Sequence, residues 1–172
     1  MTVDQEQLAE LLAREQIREL ALLYSRGVDR KDPELLRELY TDDATDTHGD
    51  TFDGPAGEYV DFLEQAFPFM RFSGHHVCNH LISVDGDEAE GEVYALAYHV
   101  IPDGNDGWQE DLMCVRYLDR YRRENDGRWR FAKRVVTYDM RNRRPITPPD
   151  APDNDPSYGE LCHRLFARGP RS

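Results

Sequence analysis

The stretch HHVCNHLISVDGDEAEGEVYALAYHVI, residues 75–101, holds two strand-length runs with DGD, residues 85–87, between them. Valine, isoleucine, tyrosine and histidine at alternating positions suit a pleated surface, and Asp-Gly is a tight-turn dipeptide, so the stretch predicts a β-hairpin. The same texture repeats downstream in WQEDLMCVRYLDRYRREN, residues 108–125, and RWRFAKRVVTYDM, residues 128–140, with PDGNDG and NDG marking the turns. Four antiparallel strands joined by hairpins are expected.

Working outward, the N-terminal part changes period. From Asp4 to Val28 there is no proline, and Leu8, Leu12, Ile17, Leu20, Ala21, Tyr24 and Val28 recur at three- and four-residue steps, which predicts a long amphipathic helix. Gly27 and the Lys-Asp-Pro of residues 31–33 end it. Asp32 can cap a second short helix with Pro33 at its first position. The turn-rich segment TDDATDTHGDTFDG, residues 41–54, leaves room for at most a short strand near Ala44–His48. Helical spacing returns through Tyr59, Phe62, Leu63 and Phe67. Helices followed by a curved antiparallel sheet make an α+β layout with a pocket between the layers. Residues 1–144 form one domain, and residues 145–172 a Pro- and Asp-rich tail in which YGELCHRLFAR, residues 158–168, could add a closing helical turn.

The chain has 172 residues, 21 Lys and Arg against 34 Asp and Glu, and a formal net charge of −13. Such a surface repels phosphate backbones and anionic headgroups, so nucleic acid and membrane are not expected partners. The acidic start MTVDQEQLAELLAREQ lacks the basic and then apolar pattern of a secretory signal, which makes a cytoplasmic location the expectation. Cys78, Cys114 and Cys162 are odd in number and unpaired in spacing, so reduced thiols are expected.

Strict alternation along residues 75–84 puts His76, Cys78, His80, Ile82 and Val84 on one face and His75, Val77, Asn79, Leu81 and Ser83 on the other. The first set ends in apolar residues and is taken as the cavity side. His76, Cys78 and His80 on one straight strand would span ~13 Å between first and last, too far for the bonds of one metal ion, so no metal site is assigned. His48, His75, His80, His99 and His163 read as hydrogen-bonded structural residues. Of these, His80 and His99 are placed along the substrate cavity with Cys78, Val93 and Tyr138.

His76 is the expected general base. Its helix-borne companions are Tyr24, on the apolar stripe, and Asp29, five residues on and so ~140° around an ideal helix. Gly27 could open the helix and turn Asp29 inward; the plainer reading of Asp29 is a solvated carboxylate at a helix end. On the last strand Ala132, Arg134, Val136, Tyr138 and Met140 share a face, where Arg134 offers a fixed positive charge or an ion pair with Asp111 or Glu110.

These residues resemble the SnoaL-like group of the nuclear-transport-factor-like cone fold, near scytalone dehydratase, bile-acid dehydratase and lindane dehydrochlorinase. IRELALLYSRGVDRKDPELLRELYTDDA, residues 17–44, is similar to the family's opening, with Tyr24 and Asp29 in its Tyr-x4-Asp arrangement. GHHVCNHLISVDGDEAEGEVYALAYH, residues 74–99, is similar to its next segment, with His76 at the catalytic histidine. RYLDRYRRENDGRWRFAKRVV, residues 116–136, is similar to its last hairpin, with Arg134 at an active-site arginine. The resemblance implies a curved sheet packed with helices into a cone and a cofactor-free Asp29–His76 dyad. It further implies dehydration of a hydrophobic cyclic, polyketide- or steroid-like substrate. An isomerase of a cyclic ketone on the same dyad and a non-catalytic ligand-binding or assembly subunit are the rival readings. Apolar residues on both faces of one strand, Tyr94, Leu96, Tyr98 and Val100 opposite Val93, Ala95 and Ala97, predict a homo-oligomer, dimer or trimer, through the sheet.

Overall fold

The computed structural model describes residues 4–148, so most of the 145–172 tail, with Cys162, His163 and the expected helical turn, lies outside the described residues. Helix α1 spans Gln5–Asp29 and α2 Pro33–Glu38; strands β1 (Tyr40–His48) and β2 (Phe52–Pro55) follow, then α3 (Ala56–Ala66) and a single 3₁₀ turn at Phe67–Phe69. The rest is sheet: β3 Phe72–Asp85, β4 Glu88–Pro102, β5 Trp108–Arg123 and β6 Trp129–Ile146.

Asp4 caps α1 by accepting from the Glu6 amide, and the helix buries Ile17, Leu20, Ala21, Tyr24 and Val28 against the sheet. Leu8 and Leu12, also on the expected stripe, are exposed, so only the C-terminal half of α1 packs. Asp32 caps α2 through the Leu35 amide with Pro33 at its start, as the sequence predicts. Gly27 is needed for packing: a Cβ there would sit 2.7 Å from Leu36 Cδ2, so the two helices meet backbone to side chain. The expectation that Gly27 opens the helix is corrected, because α1 stays helical through Asp29.

The sheet has six strands in the order β2-β1-β6-β5-β4-β3 and is mixed, because β1 runs parallel to β6. β1 is longer than the short strand expected near Ala44–His48. Its polar sequence has low strand propensity, but its inward side chains find partners: Ala44 and Tyr40 join the core, and Tyr40 Oη donates to the wholly buried Asp46 at 2.6 Å. β6 likewise continues past Met140 to Ile146, pairing with β5 where Arg141 and Arg143 meet Asp111 and Arg144 meets Glu110. Register shifts interrupt β3/β4 once and β5/β6 twice. Each adds an unpaired residue that bends its strand, which curls the open sheet around α1 and α3. Among the described residues no helix is long and apolar enough to cross a membrane.

Candidate active site

A cavity of about 240 Å³ lies between the concave sheet face and the helices. Tyr24 and Val28 of α1, Tyr59 and Leu63 of α3, and His48 of β1 form one side; His75, His99, Met113, Tyr117, Tyr138 and Arg141 come from the sheet.

The histidine at the wall is His75. In β3 the pairing runs Val77 to Ala95 and then His80 to Val93, so Cys78 and Asn79 together face Tyr94. This bulge reverses the alternation. Downstream of it His80, Ile82 and Val84 point inward, as expected from period two; upstream, His75 and Val77 do, while His76 and Cys78 are exposed. The expected Asp29–His76 dyad is therefore corrected to Asp29–His75. Cys78, exposed on the convex side, is corrected from the substrate set.

Asp29 is fixed by three donors: the His75 amide at 2.8 Å, Ser73 Oγ at 2.9 Å and His75 Nδ1 at 2.6 Å. Burial pushes its pKa up, but the hydrogen bonds and charge of His75, with Ser73, outweigh it and hold the carboxyl below its ordinary value. A carboxylate on Nδ1 selects the tautomer with the proton there and leaves Nε2 as the basic nitrogen. Tyr24 and Asp29 do not converge on one point, which removes the ~140° objection. Tyr24 looks toward α3 and β1, where its Oη lies 3.0 Å from Tyr59 Oη and 3.3 Å from His48 Nε2, while Asp29 looks toward β3. Burial raises the Tyr24 and Tyr59 hydroxyls well above their ordinary pKa, so both stay protonated donors.

His99 borders the cavity as expected, with its ring centroid 5.2 Å from that of His75. Burial, and next the neighbouring His75, lower its pKa to about 4, so it is neutral, and its Nε2 has no hydrogen-bond partner among the described residues. Tyr138 borders the cavity as well. His80 and Val93 do not. His80 points inward toward Tyr121 Oη at 3.1 Å, with its pKa lowered to about 4 by burial, and Val93 is packed among Ala21, Val115, Tyr117 and Val136.

Arg134 is wholly buried but is not on the cavity wall. Its Nε and Nη2 donate to the two carboxylate oxygens of Asp119 at 2.8 and 2.7 Å, and its guanidinium lies 4.2 Å from the Tyr24 ring centre, 4.4 Å from that of Tyr117 and 4.1 Å from that of Phe131. The expected place of Arg134 on the cavity wall is corrected: the arginine is stacked beneath Tyr24, away from the hollow. Its partner is Asp119 rather than Asp111 or Glu110. The arginine on the wall is Arg141, held by Asp111 at 2.5 Å. A bulge in β6 after Tyr138 turns Met140 outward and Arg141 inward, which simple alternation misses. Among the described residues no three His, Cys, Asp or Glu side chains gather as a metal set.

The profile of the SnoaL-like domain matches residues 9–135. The chain belongs to the SnoaL-like family. A comparison with curated proteins returns no match. Among solved structures, a hexachlorocyclohexane dehydrochlorinase from Novosphingobium barchaimii is 24% identical, with a TM-score of 0.71 over 83% of this chain and 99% of the other. A protein of Novosphingobium aromaticivorans provisionally called a scytalone dehydratase is 23% identical, with a TM-score of 0.68 over 86% and 97%. The Kfla4162 protein of Kribbella flavida is 24% identical, with a TM-score of 0.69 over 77% and 95%. These likenesses give the SnoaL-like domain its fold relatives; the chemistry has to be argued from the cavity.

Proposed function

We propose that the protein is a cofactor-independent lyase that removes water from a hydrophobic cyclic β-hydroxy ketone. The observation that carries this reading is His75 in the wall of a mostly apolar cavity, with Asp29 bonded behind it. His75 Nε2 takes the proton from the carbon beside the carbonyl, Asp29 stabilises the imidazolium that forms, and Arg141 supplies fixed positive charge for the enolate oxygen. The protonated Tyr24 and Tyr59 hydroxyls hydrogen-bond the departing oxygen. The unpartnered His99 Nε2 is a further contact for a substrate polar group.

Size narrows the substrate. An apolar cavity of about 150 Å³ takes up benzene. One of about 240 Å³ suits two fused rings and is short for a full steroid skeleton. The names of the family's dehydratase and dehydrochlorinase relatives agree with elimination chemistry.

The test is 3-hydroxy-1-tetralone, a two-ring β-hydroxy ketone whose dehydration product is 1-naphthol. Mass spectrometry should show loss of water dependent on the protein. A product of unchanged mass would replace the lyase with an isomerase on the same dyad, and binding without turnover would leave a ligand-binding protein.

The homo-oligomer belongs to the same proposal. Tyr94, Leu96, Leu118 and Met140 are exposed large apolar residues on β4, β5 and β6, with Leu96, Cys114 and Met140 in register across the three strands. Light scattering at micromolar concentration should give a dimer or trimer, and Leu96→Lys should shift it toward monomer. A wild-type monomer would remove the oligomer from the account.

A further inference from the structure

Opposite His75 the cavity holds a second Asp–His pair that the proposed reaction does not use. Asp46 is wholly buried in β1, and two residues on, along the same face, His48 turns its Nδ1 onto Asp46 Oδ1. The other Asp46 oxygen accepts from Tyr40 Oη at 2.6 Å. His48 Nε2 lies 2.9 Å from Tyr59 Oη and 3.3 Å from Tyr24 Oη, and the His48 ring stacks on Tyr59 at 4.3 Å between centroids. The chain Tyr40, Asp46, His48, Tyr59/Tyr24 is thus continuous from the core to the cavity, and nothing in the local pattern around His48 separates it from an ordinary strand histidine.

A buried carboxylate needs a compensating charge or full hydrogen bonding. Arg134 donates through Nε and Nη2 to Asp119, so the hydrogen-bond partners of Asp46 among the described residues are Tyr40 Oη and His48 Nδ1, while His48 Nε2 faces the two tyrosine oxygens. Elimination needs both a base for the C–H proton and an acid for the leaving oxygen, and this cavity has an Asp–His pair on either side.

We infer that Asp46–His48 is the acid arm of the reaction proposed above, a proton store that recharges the Tyr24–Tyr59 hydroxyls as they protonate the leaving oxygen. This rests on the lyase reading. In the step, the C–H bond breaks and its proton goes to His75 Nε2 while the electron pair becomes the new C=C bond. The C–O bond breaks, and the leaving oxygen takes a tyrosine proton and departs as water. That tyrosine takes the Nε2 proton of His48. His75 ends as imidazolium and His48 as neutral imidazole, and exchange of one proton with solvent at each resets the site. His48 acts through the tyrosines and is a positioning and proton-supplying residue; the hydroxyls touch the substrate.

The experiment uses two probes that differ only in the leaving group. Loss of hydroxide from 3-hydroxy-1-tetralone needs a proton, whereas loss of acetate from 3-acetoxy-1-tetralone does not. His48→Gln keeps an amide donor toward the tyrosines but cannot pass on a proton. It should lower kcat for the hydroxy ketone by about 10²-fold, with KM and acetate elimination held within about threefold, while His75→Ala lowers both reactions. Equal losses on the two probes, or no loss on either, overturn the acid arm. Nitrogen-15 NMR of the full chain gives a second readout that needs no turnover: His48 should carry protons on both ring nitrogens at neutral pH and lose one in Asp46→Asn. A neutral His48 in the wild type overturns the inference even if the lyase reading stands. If the wild type converts neither probe, the lyase reading fails and the imidazole spectrum still decides whether the proton store exists.

Discussion

Replacing His75 by alanine is expected to lower dehydration of 3-hydroxy-1-tetralone by about 10²–10⁴, the span usual for a lost general base, and replacing His76 by alanine to leave it unchanged. The two residues are neighbours in sequence and differ in one physical respect. The side chain of His75 is 6% exposed and bonded to Asp29, whereas His76 faces solvent from the convex side. Asp29→Asn should follow His75→Ala, because an amide at that position neither selects the Nδ1–H tautomer nor stabilises the imidazolium. Thermal midpoints measured alongside the rates separate lost chemistry from lost fold. Full activity in His75→Ala, or a loss confined to His76→Ala, would return the base to the residue that strict alternation picks.

Arg134→Met should act on stability. Removing one partner of a buried, bidentate ion pair leaves Asp119 charged and uncompensated in the core, which costs about 3–5 kcal/mol. In a domain of this size that corresponds to a drop of roughly 6–20 °C in Tm. Adding Asp119→Leu should restore part of the loss, since the stranded charge goes with it; the restoration is incomplete because Tyr121 Oη loses the acceptor it holds at 2.8 Å. An Arg134→Met protein with an unchanged midpoint and a collapsed kcat would instead make the arginine part of the chemistry.

Much of the architecture was legible. Apolar spacing locates α1, α2 and α3, and the Asp-Gly turns locate the four long strands, because both signals are local. The β1–β2 hairpin was less so, since TDDATDTH becomes a strand only by pairing with β6 some ninety residues away. The site divided along the same line. Tyr24 follows from its place on the apolar stripe, whereas Asp29 follows from the family resemblance, since its place at the helix end reads by itself as a solvated carboxylate. Every error of facing traces to a bulge: His76 for His75 in β3, and Met140 for Arg141 in β6. A bulge adds a residue without a composition of its own, so a period-two reading runs straight through it. Arg134 and Asp46–His48 failed for another reason: which carboxylate pairs with which cation is set by contacts far apart in sequence.

The slip at Cys78–Asn79 divides β3 into two stretches with opposite phase. Of the β3 residues, His75 in the upstream stretch lines the hollow, while His80, Ile82 and Val84 beyond the slip pack into the core, so substitutions there act on packing and leave the imidazole's aim alone. One codon lost at the slip would bring the two stretches into step, with His75, Val77, His80 and Ile82 in a single alternation and His75 still facing the hollow. Straightening the slip with every residue kept would instead slide the upstream stretch one place against β4, and the doublet then exchanges one ring for the next.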